Sequence, residues 1–220
     1  MWLERKPGEA IIEKEIARAL RVSRTPVREA LLRLSAEELV DTVPQSRTSV
    51  ARIRAAALPE AIVVRRALEQ VTAGAAARRA RASDIATLRA ILLRQREAEA
   101  SGDRRAFHKA DEAFHAAIAD VAGYPGIWSL IQRVKIQVDR YRLLTLPQPG
   151  RMARVVKEHA AVAAAIEERD ADGAAAAMAS HLDGLRISMD DIRRLNPEFF
   201  YEDIHNEVLV TEGGGNDRHT

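Results

Sequence analysis

From residue 55 onward the sequence is built largely from alanine, leucine, arginine and glutamate, with few β-branched runs and almost no strand signal. A chain of that kind has to bury its apolar stripes helix against helix. Start and stop signals divide it into helices expected near 58–80, 84–100, 103–122, 125–145, 150–169 and 171–194. Pro59 lies just inside one start and Ser83-Asp84 cap another. Ser101-Gly102-Asp103, Gly123-Tyr124-Pro125-Gly126 and Pro147-Gln148-Pro149-Gly150 supply the turns. Connections this short imply antiparallel neighbours. The alanine blocks at 73–77 and 174–177 suit close helix approach and call for no functional explanation.

The first 54 residues are different. They hold 11 Lys and Arg against 8 Asp and Glu, while the remainder holds 23 against 24, so the positive excess sits at the front. A basic front on a neutral body suits a polyanion-binding module, although an excess of three charges is modest. Within it, residues 13–20 read as a short amphipathic helix with Ile16 and Leu20 on one face. A tight turn at Arg21-Val22 leads to a second helix that opens at Ser23-Arg24-Thr25-Pro26 and carries Val27, Ala30, Leu31 and Leu34 on one stripe. Two short helices around a tight turn make a helix-turn-helix shape. The polar start of the second helix, Ser23, Arg24, Thr25 and, one turn on, Arg28, would face a major groove. Arginine reads guanine or holds phosphate, and hydroxyls at a helix start take phosphate oxygens. Beyond it, residues 39–43 and 48–51 flank Pro44-Gln45-Ser46-Arg47 and resemble a two-stranded wing tipped by Arg47.

Taken in order, Pro7-Gly8-Glu9, Glu15-Ile16-Ala17, the run Val22 to Leu31, Arg33-Leu34 and Leu39-Val40 resemble the winged helix-turn-helix signature of GntR-type transcription regulators. The resemblance implies that Lys14, Arg24, Thr25 and Arg28 contact operator DNA while the wing reaches a minor groove. Family members usually carry a further helix before Pro7-Gly8; this sequence starts almost at that motif, so that first helix is expected to be missing or to lie upstream. Where the family often has glycine after an arginine at the wing tip, this chain reads Ser46-Arg47, and an arginine contact is expected in its place.

In the helical part, Asp111 and His115 stand four apart on one expected helix and so share a face. His159 and His181 each lie about ten residues from the turn joining their antiparallel helices, and at about 1.5 Å per residue they are level to within a turn. Three helices could then aim a carboxylate and three imidazoles at one point. A sulfur-free set of that kind suits Zn, Ni, Co, Mn or Fe. Taken singly, each histidine is as well explained as a hydrogen-bonded core residue. His108, His205 and His219 lack partners at useful spacing and are expected at the surface. Glu112 and Glu158 point about 100° away from the neighbouring ligands.

The pattern Asp111, His115, Lys157-Glu158-His159 and Ser180-His181, with Val64 to Glu69 and Asp170 to Ala177, resembles the FCD effector domain that follows the GntR module in the FadR subgroup. That resemblance implies a divalent metal on Asp111, His115, His159 and His181, and a carboxylate metabolite completing its coordination. Arg65 and Arg151 are the expected partners of the carboxylate, since a guanidinium fork takes it in two bonds. Tyr124 stands where the family commonly has a pocket amide.

The expectation is therefore a mainly α protein. A winged helix-turn-helix over 1–54 precedes an antiparallel all-helical bundle of six or seven helices over 55–195, followed by an extension over 196–220 that is largely disordered after about 206. Its expected function is that of a homodimeric, operator-binding regulator, acting as a repressor and controlled by a small organic acid. The rival is a metal-dependent hydrolase or lyase with an oligomerisation arm, weakened because no residue near the site reads as a dedicated nucleophile or general base. The chain has no cysteine, which excludes disulfides, thiolate zinc fingers and a Cys nucleophile and suits a reducing, cytoplasmic setting. No apolar run suggests a signal peptide or membrane insertion.

Overall fold

The computed structural model describes residues 5–43, 47–186 and 189–201. The front module consists of α1 (Glu13–Leu20), α2 (Arg24–Ala36) and a hairpin of β1 (Val40–Val43) and β2 (Arg47–Val50). The strands are antiparallel with Val40 opposite Val50 and Val43 opposite Arg47. Residues 8–11 run along the outer edge of β2, with Gly8 N–H donating to Val50 O at 2.8 Å and Ile11 N–H to Thr48 O at 2.8 Å. Ala17, Val27, Leu31 and Val40 form the module's small core, flanked by Ile11, Ile16 and Leu34.

Two expected core positions fall elsewhere. Leu20 is 66% exposed and Ala30 faces solvent. The buried residue of α1 is Ala17, whose small side chain lets the helix approach α2 closely, and this crossing turns Leu20 outward. Arg21 takes a left-handed φ of 56° to close the turn between the helices.

The body contains α3 (Ala57–Arg79), α4 (Ala82–Ser101), α5 (Arg104–Val121), α6 (Pro125–Val134), α7 (Ile136–Thr145), α8 (Arg151–Glu167), α9 (Ala171–Asp183) and a short α10 (Met189–Leu195). Most of the punctuation behaves as its chemistry demands, but α4 starts ahead of the expected Ser83-Asp84 cap: Arg81 is the N-cap, and Asp84, inside the first turn, accepts from Arg81 N–H at 2.8 Å. Gly102 ends α4 at φ 69°, and Asp103 accepts from the backbone N–H groups of Arg105 and Ala106 to start α5. Asp170 caps α9 through Gly173 N–H. α3 runs through the middle, touching α5, α6, α7, α8 and α9. Its contact with α9 is close at Gly74, where a Cβ would lie 3.1 Å from Ala171 O. Around it Leu58, Ile62, Leu88, Ile118, Tyr141, Val162, Ile166, Met178 and Leu182 make one continuous core.

Two helices differ from the expectation. The single helix expected over 125–145 bends at Lys135 into α6 and α7, with no proline or glycine to mark the place. There the Lys135 ammonium turns inward onto Glu112 and Asp139, so the break follows from a tertiary ion pair. The helix expected to reach 194 stops at Asp183, where Leu185 and Arg186 form tight turns back to Leu182 and Asp183.

The junction between front and body is held at several points. Arg140 of α7 donates to the carbonyls of Ala51 and Arg52, and Gln137 of the same helix donates to those of Glu37 and Glu38. The segment after α10 returns to the junction: Ile53 N–H donates to Phe199 O at 2.7 Å, Phe200 is buried, and Tyr201 O–H donates to Asp41 of β1 at 2.6 Å. The beginning of the 196–220 extension is thus part of the fold. The disorder expected after 206, with His205 and His219, lies outside the described residues, as do Pro44 to Ser46 at the wing tip.

Candidate metal centre and nucleic-acid interface

Asp111 and His115 project from α5, His159 from α8 and His181 from α9, and all four are buried. His159 Nε2 and His181 Nε2 lie 3.2 Å apart. Asp111 Oδ1 is 3.7 Å from His159 Nε2, and Asp111 Oδ2 is 3.9 Å from His115 Nε2. Ligand nitrogens of the three histidines fall within 4.8 Å of one another. Two nitrogens bound to one cation at about 2.0–2.1 Å stand roughly 3 Å apart. The spacing therefore fits a shared ion.

The second nitrogen of each ring explains the orientation. His115 Nδ1 meets Glu69 of α3, His159 Nδ1 meets Gln95 Oε1 of α4 at 2.9 Å, and His181 Nδ1 meets Glu158 Oε2 of α8 at 2.8 Å. An oxygen lies beside every Nδ1, hydrogen-bonded at His159 and His181 and as the Glu69 ion-pair partner at His115, which assigns the ring protons there and leaves the Nε2 lone pairs facing one another. Converging lone pairs in a dry interior are costly without a cation between them. Two further buried atoms, Asp111 Oδ2 and His115 Nε2, have no hydrogen-bond partner. The donor set thus fits a divalent ion, with outer oxygens fixing each ring in the manner of known metal-binding histidines.

The electrostatics agree. Burial first, and then the neighbouring histidines, push the His159 and His181 pKa values well below the usual range, so both rings are neutral near pH 7. Burial alone would raise the Asp111 pKa; the paired Arg142 guanidinium, followed by His115, more than offsets it and holds the carboxyl well below its usual range. Glu69 is lowered in the same way, burial being overcome by Arg65 and then His115.

Of the residues expected to meet an effector, Arg65 and Arg151 are buried. Arg65 Nε donates to Glu69 Oε1 at 2.6 Å, whereas its Nη1 and Nη2 are buried with no hydrogen-bond partner. Arg151 begins α8, and its pKa is lowered by burial and then by the like charge of Arg142. Tyr124 is not brought to the centre. It is 41% exposed beside the Gly123 turn, and its ring carries the Arg79 guanidinium 5.0 Å from the centroid.

His108 differs from its expected surface role. With Glu112 and Asp139 it forms a second, half-buried group. The ammonium of Lys135, 2.6 Å from Glu112 Oε2 and paired with Asp139, already supplies a cation there. Burial lowers the His108 pKa.

In the front module Lys14, Ser23, Arg24, Thr25, Arg28 and Arg47 are all exposed. Lys14, Arg24, Arg28 and Arg47 line one cleft between the start of α2 and the hairpin. Ser23 is the N-cap of α2 without a side-chain cap bond, which leaves its hydroxyl available.

Sequence reasoning missed Glu69, Gln95, Glu158 and Arg142 as parts of the centre. Arg65 and Glu69 stand four apart on a helix, a readable pairing signal. Glu158 does point away from the partner-facing side of His159, but in doing so it reaches His181 on the next helix. Gln95 and Arg142 had no local signal, because their partners are distant in sequence.

A winged helix-turn-helix joined to a helical body defines a DNA-binding regulator, and the buried histidine cluster of that body could hold a metal ion. Comparison with known proteins agrees. Residues 3–50 match the family of bacterial regulatory proteins, gntR family, and residues 60–184 match the FCD domain. The chain is 33% identical over 203 residues to an HTH-type transcriptional regulator from an unstable DNA locus of Streptomyces ambofaciens, covering 92% of this chain and 85% of that protein. It is 30% identical over 197 residues to the HTH-type transcriptional repressor RspR of Escherichia coli K12, covering 90% and 86%. Among solved structures, E. coli McbR/YncC superposes with a TM-score of 0.74 at 23% identity, over 84% of this chain and 89% of that one. The protein belongs to the GntR family of transcription regulators, in the FadR-like subgroup that carries a C-terminal FCD domain. The family consists of regulators, so the hydrolase or lyase alternative falls away. None of the described helices is long and apolar enough to cross a membrane.

Proposed function

We propose that this regulator is a homodimeric repressor whose operator affinity is set by a small carboxylate metabolite at a divalent metal held by Asp111, His115, His159 and His181. The observation that carries the reading is the convergence of Nε2 atoms whose opposite Nδ1 atoms are each met by an acceptor. The metal would supply open coordination positions for an oxygen ligand. Arg65, with two buried unpartnered nitrogens, and Arg151 would orient the acid's negative charge.

Lys14, Ser23, Arg24, Thr25, Arg28 and Arg47 would contact the operator, and a twofold pair of chains would place two α2 starts about one DNA turn, roughly 34 Å, or a multiple of it apart. Helix α7 offers the connection between the two ends. Its Arg142 pairs with Asp111, while its Gln137 and Arg140 hold carbonyls of the front module and the junction. A ligand that prefers one position of α7 would shift the population of front-module orientations.

The test is affinity for a duplex enriched from a random pool by the protein itself. Affinity is measured at fixed salt with zinc-loaded protein, with chelator-stripped protein, and with loaded protein plus simple carboxylic acids. A several-fold change on stripping or on adding an acid is expected, and identical affinity in all states would overturn the reading.

A further inference from the structure

Glu13 is the first residue of α1 and faces the start of α2. Its Oε2 accepts from Arg24 Nη2 at 3.0 Å and from Arg28 Nη2 at 3.4 Å, while its Oε1 accepts from Arg28 Nε at 3.4 Å. Both arginine side chains are more than 60% exposed, whereas Glu13 is 22% exposed. Hydrogen bonds from Arg28 and then Arg24 lower the Glu13 pKa, so the carboxylate is charged at neutral pH.

A negative charge in a cleft lined by Lys14, Arg24, Arg28 and Arg47 works against general attraction to a phosphate backbone. Its geometry does something else. Arg28 commits its Nε and one Nη2 hydrogen to Glu13, which fixes the plane of the guanidinium and leaves Nη1 and the outer Nη2 hydrogen for a partner. Arg24, bound through Nη2, is tethered to the same carboxylate. Two flexible exposed side chains therefore give up part of their rotamer freedom before meeting DNA. Non-specific binding counts charges, whereas discrimination of a base edge counts donor geometry.

We infer that Glu13 is a positioning residue for operator discrimination: it holds Arg24 and Arg28 in a base-reading arrangement and suppresses their indiscriminate binding to phosphate. This rests on the proposed contact of those arginines with DNA. The pairing exists within one protomer and needs no effector, so it acts on every encounter with a duplex. Glu13→Gln keeps the shape and removes the charge without altering the apolar core of the front module.

The experiment uses the full-length chain and two duplexes at matched salt, one enriched from a random pool by the wild-type protein and one with its bases scrambled. For Glu13→Gln the ratio of affinities is expected to fall about tenfold. Binding to the scrambled duplex should strengthen, with a steeper salt dependence. Glu13→Asp, which retains the charge, should recover part of the ratio. Arg28→Ala is the control for the underlying contact. If it leaves affinity for the enriched duplex unchanged, or if the wild-type chain enriches no duplex, the DNA-contact reading fails and this inference fails with it. If Arg28→Ala weakens binding while Glu13→Gln leaves the ratio unchanged or higher, the role of Glu13 alone is overturned.

Discussion

His159 and His181 come from adjacent antiparallel helices, and their Nε2 atoms meet at 3.2 Å while Gln95 and Glu158 hold the opposite sides of the rings. The pair is rigid from both directions. A cation entering between them would find ligands already aimed, so little reorganisation accompanies binding.

The outer oxygens should therefore matter without being ligands. Glu158→Gln replaces the carboxylate that meets His181 Nδ1 by an amide, which leaves all four proposed ligands in place. Metal affinity, read by competition with a chromophoric chelator, should fall about 10- to 100-fold. An unchanged affinity would mean that the ring orientation is fixed by packing alone.

The metal-free protein should lose stability on mild acidification. Burial lowers the folded-state pKa values of His159 and His181 beneath their ordinary value near 6.5. The unfolded chain then binds more protons than the folded one as pH drops through the unfolded value. Each ring should cost about 1.4 kcal/mol per pH unit below about 6.5, until its folded form also protonates. Asp111 and Glu69 have lowered folded pKa values and contribute in the same direction only as pH approaches the ordinary carboxylate range. Urea midpoints of chelator-treated protein between pH 7.5 and 5.5 check this; a flat profile would contradict neutral buried rings.

Lys135 should be a strong stability determinant even though it touches no proposed ligand. Its ammonium is buried between Glu112 and Asp139, and Trp128 lies 5.6 Å away. Lys135→Met leaves Glu112 without its buried cation and Asp139 with only Arg142 at 4.0 Å, and should cost about 3 kcal/mol, measured by denaturant unfolding. A loss below about 1 kcal/mol would show that water screens the pair.

Arg140 should separate ligand sensing from DNA binding. Arg140→Met removes the donors to Ala51 and Arg52 carbonyls but leaves Arg142 on Asp111 and the exposed cations of α2 intact. Metal content should stay stoichiometric while the effect of metal on duplex affinity shrinks several-fold. If the variant responds to metal as the wild type does, α7 is not the connection.

Much of this arrangement was written locally. The four-residue step from Asp111 to His115, the symmetric distances of His159 and His181 from their turn, and the cap-rich opening of α2 all depend on periodicity, which sequence displays directly. What escaped detection depends on tertiary pairing. The bend at Lys135 has no glycine or proline because two carboxylates set it, one from another helix. Gln95 meets His159 across 64 positions, and Tyr201 meets Asp41 across 160. Leu20 misled because an eight-residue helix offers few apolar positions, and the crossing through Ala17 chose among them. Tyr124 misled because a neighbouring arginine on α3 took its ring.

The most direct test is X-ray absorption of purified protein loaded with one equivalent of zinc. The account predicts tight stoichiometric binding, a first shell of nitrogen and oxygen alone at about 2.0–2.2 Å, and outer-shell scattering from three imidazoles that is lost in the His159→Ala, His181→Ala double variant. Weak binding, or a wild-type spectrum without imidazole scattering that the double variant leaves unchanged, would contradict it.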